Sequence, residues 1–132
     1  MTTHSSKHIS DILHGFNDGP SFSSHLAEDV IVEFPYGSTL GVPARLEGRE
    51  AAGRHLLAVW QSGLRIRDVV VTPLPNDSYL AEYVGDYRMP DGTVVASPLV
   101  GIITMRGEKI VALREYWNTK QLADAQQASG SA

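Results

Sequence analysis

The 132-residue chain contains no cysteine. That absence removes disulfides, thiolate nucleophiles and cysteine-based metal sites together, and it suits a reducing cytoplasm, the expected location. There is no basic excess either: 11 Lys and Arg stand against 15 Asp and Glu, a net charge of −4. A nucleic-acid binder would show a basic face, so no nucleic-acid partner is expected. Apolar runs such as Leu99 to Ile103 are far too short to span a bilayer. The first twenty residues are polar and rich in His and Ser, without the apolar core of a signal peptide, so no membrane association is expected. Phosphate-binding glycine loops, His-Glu-x-x-His and Gly-x-Ser-x-Gly are all missing. The five histidines, at 4, 8, 14, 25 and 55, do not fall at metal-ligand spacing with carboxylates on a common face. His4, His8 and His14 read as solvent-exposed, and neither metal nor cofactor is expected.

What remains is 42% hydrophobic and 20% charged, a composition that builds one core. A single domain over 1–132, ordered from about 6 to 126, is expected. Ile9, Ile12, Leu13 and Phe16 recur at helical spacing behind Ser5 or Ser6 as N-cap, and Asn17-Asp18-Gly19-Pro20 ends that helix. A short second helix carries Phe22 and Leu26. Val30, Val32 and Phe34 then alternate as a strand that stops at Pro35-Tyr36-Gly37, and residues 38–47 read as a loop. Phe34-Pro35 at that strand end is a candidate cis bond. A helix over about 49–62 follows, closed by Gly63. Four Val-, Ile-, Thr- and Tyr-rich strands, 66–74, 79–88, 94–105 and 109–117, are joined by short turns, which makes them antiparallel neighbours. Asn118 or Thr119 caps a last short helix, and residues 129–132 are expected to be disordered. Helices first and a meander second is an α+β layout. One strand is apolar on both faces: Leu99, Ile103 and Met105 share one, Val100 and Ile102 the other. With few helices to cover them, the second face is expected to bury itself in a homodimer, beside Ala112 and Tyr116.

Three segments carry a resemblance: Val32-Glu33-Phe34-Pro35-Tyr36-Gly37, Glu47-Gly48-Arg49-Glu50-Ala51, and Lys109-Ile110 with Arg114-Glu115-Tyr116-Trp117-Asn118. In this order and spacing, the chain resembles the nuclear transport factor 2-like superfamily from about Ile9 to Leu122. The resemblance is in particular to the SnoaL-like polyketide cyclases and the ketosteroid isomerases. The resemblance implies a cone-shaped α+β barrel, in which a strongly bent antiparallel or mixed sheet wraps an apolar pocket closed by three to four helices. It implies a small apolar or polyketide-like ligand and no cofactor. Ketosteroid isomerases place an aspartate base, a tyrosine and a protonated aspartic acid at positions that correspond here to Phe34, Phe16 and Ile103. All three are apolar, so that mechanism is excluded. Phenazine-biosynthesis condensing proteins of the superfamily carry a histidine and a glutamate for acid–base work, and these correspond to His55 and Glu115.

The same two residues stand out from the pattern alone. Alternation puts Glu115 on one face with Val111, Leu113 and Trp117, where desolvation would raise its pKa toward neutrality. The alternative is a structural ion pair with Arg88. His55 lies on the apolar stripe of its helix with Leu56 and Trp60, as a catalytic group or as a core histidine bonded to a carbonyl. On 80–88, the face of Glu82, Val84 and Arg88 is the candidate pocket face, subject to a bulge at Gly85. Tyr36 guards the mouth or is a solvated loop residue, and Trp60 and Trp117 stack on ligand or pack in the core. Two functions therefore stand: a cofactor-independent acid–base enzyme of isomerase, cyclase, dehydratase or condensing type, and a non-catalytic binder of small molecules.

Overall fold

The computed structural model describes residues 3–130. Helix α1 (Ser6–His14) starts where the Ser5 hydroxyl accepts the His8 amide at 3.0 Å, and it buries Ile9, Ile12 and Leu13. A 3-10 turn, Gly15–Asp18, carries Phe16 inward. Gly19 then takes φ of 85°, and a side chain there would strike the Trp60 ring, so glycine is required twice over. Pro20 opens a second 3-10 stretch to His25 that holds Phe22 of the expected short helix, whereas Leu26, expected on the same helix, already belongs to a strand.

Six strands follow: β1 (Leu26–Glu33), β2 (Arg45–Glu47), β3 (Arg65–Leu74), β4 (Ser78–Arg88), β5 (Val94–Arg106) and β6 (Lys109–Trp117). Helix α2 (Arg49–Gln61) lies between β2 and β3, and α3 (Thr119–Gly130) follows β6. The sheet order is β2-β1-β6-β5-β4-β3. Every pair is antiparallel except β1 with β6, which is parallel, so the sheet is mixed and open. Its inner face, with Val30, Val32, Tyr79, Ile103 and Leu113, joins Ile9, Leu13 and Phe22 in one core. Among the described residues no helix is long and apolar enough to cross a membrane.

The differences from expectation are local. The segment 38–47 is not all loop: it holds a 3-10 turn, Gly37–Leu40, and the three-residue edge strand β2, too short to show an alternation. Strand β1 begins four residues before Val30 because Leu26 and Ala27 are buried together rather than alternately. No peptide bond among the described residues is cis, so Phe34-Pro35 is trans. Residues 129 and 130 are helical, not disordered, and the Ser129 hydroxyl accepts the Asp91 amide at 2.8 Å. The rest of that expected tail, 131–132, lies outside the described residues.

Candidate functional site

A cavity of about 220 Å³ opens between the inner sheet face and the helices. Phe16 and Phe22 from the 3-10 segments, Phe34 from the end of β1, His55 and Leu56 from α2, and Leu122 from α3 form part of its wall. The sheet contributes Tyr83 and Tyr87 from β4, Leu99 from β5, and Leu113, Glu115 and Trp117 from β6. Among the described residues Glu115 is the one carboxyl group on this wall, and no Lys or Arg accompanies it. A larger groove of about 890 Å³ lies on the other side of Phe22, but it is lined by charged side chains already engaged with each other, such as Arg49 with Glu28 at 3.5 Å. The smaller cavity, with its mostly apolar wall, is the candidate site.

Strand register explains how Glu115 is held. Gly101 of β5 pairs with Glu115 on one side and Ala81 on the other, while Tyr83 pairs with Leu99. Tyr83 thus sits one diagonal step from Gly101, on the strand beyond it. Its ring lies across Gly101, whose missing side chain would come within 2.9 Å of the Tyr83 hydroxyl. That clearance lets the phenol span β5 and donate a short hydrogen bond to Glu115 Oε2. Burial pushes the Glu115 carboxyl up, the Tyr83 hydrogen bond pulls against it, and the balance leaves it at about 7. The Tyr83 phenol is itself raised, first by burial and then by the negative charge of Glu115, and Tyr87 is raised for the same two reasons. Both tyrosines therefore stay protonated. Burial alone lowers His55, leaving a neutral imidazole against the Phe34 ring at 5.3 Å between centroids. Phe34 also meets Trp117 edge-on at 5.7 Å, and the indole N–H of Trp117 is buried without an acceptor.

The structure brings His55, Glu115, Phe16, Phe34, Leu56, Leu113 and Trp117 to one cavity. It places the other expected ligand residues elsewhere. Glu82, Val84 and Arg88 are on the opposite sheet face, because β4 pairs with β5 without interruption from Ser78 to Arg88 and no bulge at Gly85 reverses it. The bulge is in β3 instead, between Arg67 and Val70. Tyr79, Ala81, Tyr83, Gly85 and Tyr87 consequently face inward, and Arg88 contributes no ion pair to Glu115. Ile103 is solid core, 1% exposed between Tyr79 and Leu113, and does not reach the cavity. Trp60 is turned away, donating to the Asn17 carbonyl at 3.0 Å beneath the Arg65 guanidinium. Tyr36 is exposed and tilts against Tyr116. His4 and His8 are not free surface groups either: with Glu108 they form a cluster at the start of α1. The principal residue missed is Tyr83; its signal was the spacing Tyr79-x-x-x-Tyr83-x-x-x-Tyr87, three large aromatics on one face of a strand.

No sequence-family model matches the chain, and no curated protein sequence does. Solved structures do. An NTF2-like protein of unknown function from Cytophaga hutchinsonii superposes with a TM-score of 0.67 at 14% identity, over 93% of this chain and 97% of that one. The chain has the nuclear transport factor 2-like fold. Two further structures with the same architecture come from biosynthetic proteins. A phenazine biosynthesis-related protein from Pseudomonas aeruginosa gives a TM-score of 0.72 at 14% identity, over 92% of this chain and 83% of that one. The epoxide hydrolase/cyclase-like enzyme SalBIII, linked to pyran ring formation in the polyether salinomycin, gives 0.72 at 16%, over 86% and 90%. At these identities the likeness extends to the fold.

Proposed function

We propose that the chain is a cofactor-independent acid–base enzyme of the SnoaL-like kind, acting on a small, neutral, oxygenated molecule. The observation that carries this reading is the Tyr83–Glu115 pair: a carboxyl with a pKa of about 7, at the wall of a cavity without fixed charge. At neutral pH such a group is divided between acid and base, which is the condition for moving a proton in either direction. Protonated Glu115 can donate to a carbonyl, epoxide or hydroxyl oxygen; ionised, it can take a proton from carbon beside a carbonyl. Tyr83 holds the carboxylate in place and stabilises its charged form. Neutral His55 supplies a second proton-accepting or proton-donating site. The likeness to an epoxide hydrolase/cyclase-like enzyme and to a phenazine biosynthesis-related protein supports a cyclase- or isomerase-like role in general terms. A cavity of about 220 Å³ lies below the ~300–1,000 Å³ of drug-sized sites, so the substrate is small. We assign the outer face of β4, β5 and β6 to a homodimer interface.

A second reading, a binder without chemistry, is favoured by the apolar Phe16 and Phe34 at positions where the isomerases carry catalytic groups. One experiment separates the two. Small cyclic ketones that raise the melting temperature are incubated with the protein in D₂O, and exchange at the α-carbon is followed by NMR. The enzyme reading expects exchange that Glu115→Gln abolishes while the thermal shift persists. Binding with no exchange at all gives the binder.

A further inference from the structure

We infer that His4, His8 and Glu108 form a binding site for a divalent transition metal of the zinc type, outside the cavity. One donor atom from each of the three lies within 4.8 Å of the other two. His8 Nε2 is 3.2 Å from Glu108 Oε2, and His4 Nδ1 is 3.9 Å from Glu108 Oε1. Zinc bonds of about 2.0–2.2 Å set neighbouring tetrahedral donors roughly 3.3 Å apart, so closure needs movements of about 1 Å. The Glu108 side chain, 70% exposed, is free to make them.

The histidines are already arranged as ligands. His4 is the enclosed member, its side chain only 5% exposed. Its backbone amide donates to the Tyr79 hydroxyl at 2.8 Å, which fixes the segment before α1 against β4. Its ring Nε2 donates to the Gly107 carbonyl at 2.7 Å, which selects the tautomer with a lone pair on Nδ1. That lone pair is on the atom nearest Glu108. His8 sits one turn on, its ring stacked 5.0 Å from that of His4. Two imidazoles and one carboxylate are a donor set for zinc, nickel or copper ions, whereas calcium and magnesium require oxygen. Three protein ligands leave the fourth position to solvent. Such an ion would tie the segment leading into α1 to the β5–β6 turn, residues about a hundred positions apart. The sequence concealed the set because its members come from opposite ends of the chain.

The test is calorimetric titration of the whole chain with zinc chloride near pH 7.5, beside the variants His8→Ala, Glu108→Gln and, as a control away from the cluster, His14→Ala. The expected result is one ion per chain, affinity at least ~10-fold weaker in both cluster variants, and no change in His14→Ala. Zinc should raise the melting temperature of the parent and not that of His8→Ala, whose metal-free melting point reports that it folds. Absence of saturable binding, or undiminished binding in either cluster variant, would overturn the site and leave an ordinary surface ion pair.

Discussion

The Tyr83 hydroxyl donates to Glu115 from two strands away, over the bare backbone of Gly101. Each component of that contact has a separate consequence. Removing the proton site, the donor or the clearance should give three distinguishable phenotypes.

Glu115→Gln keeps the shape and an acceptor for Tyr83 but cannot titrate. On the proposed function, turnover should fall by at least the ~10²-fold attributed to acid–base catalysis, with substrate binding retained. Stability gives an independent reading. The folded-state pKa, about 7, is raised above the model-peptide value of 4.5, so the folded state holds the proton more tightly than the unfolded one. That contribution is complete below pH 4.5 and is lost as pH rises to about 7, an effect on the order of 3 kcal/mol. His55 acts in the opposite sense: its lowered pKa costs stability as pH falls below about 6.5. Denaturant titrations across pH 5–8 should therefore show a decline in the parent that Glu115→Gln flattens. An unchanged slope would place the charge in water.

Tyr83→Phe removes the one interaction that lowers the Glu115 pKa. The apparent pKa of the acid–base step should move upward, measurable in a pH–rate profile or by NMR of the labelled carboxyl. A downward shift would mean that Tyr83 is not the donor.

Gly101→Ala inserts a methyl group 2.9 Å from the Tyr83 hydroxyl. The backbone remains a strand, so the protein should fold, yet the phenol is displaced and the Glu115 pKa should rise as in Tyr83→Phe. Combining the two variants should add little, because both remove the same bond.

Asn17 links the 3-10 turn to β3: its amide donates to the Ile66 carbonyl at 2.8 Å and accepts the Ile66 amide at 2.9 Å. Asn17→Ala should destabilise by about 2 kcal/mol in urea, since two backbone groups lose their partners.

Light scattering should give twice 14.4 kDa if the outer sheet face, with Val100, Ile102 and Tyr116, is buried between copies. Ile102→Glu should yield the monomer. A monomeric parent would remove the dimer.

Periodicity reveals the strands and α1 because each buries one face, and a face imposes its repeat on the sequence. It fails where the backbone supplies the order. Strand β2 is three residues of ladder hydrogen bonding with little burial, so its sequence carries no alternation. For β4 the pattern is ambiguous: Leu80 and Val84 alternate as well as Tyr79 and Tyr83 do, and only pairing with β5 decides which set turns inward. Glu115 was legible because β6 has one apolar face on which a carboxylate is conspicuous. Its partner was not, because a residue reaching across an intervening strand leaves no mark in local spacing.

The parallel seam between β1 and β6 has a kinetic consequence. Strands β3 to β6 are joined by short turns and can pair early, whereas Val32 must find Leu113 across eighty residues of chain. Tyr83 meets Glu115 within the meander, but Phe34 reaches Trp117 only after the seam closes. The proton-handling pair is therefore expected to assemble before the walls around it. A chain whose seam opens in the native state would retain the bond while admitting water, and the carboxyl would fall back toward an ordinary acid. Amide exchange faster at Val32 than at Ile103 would report such breathing, and the reactivity of the site would follow the lifetime of that one strand pair.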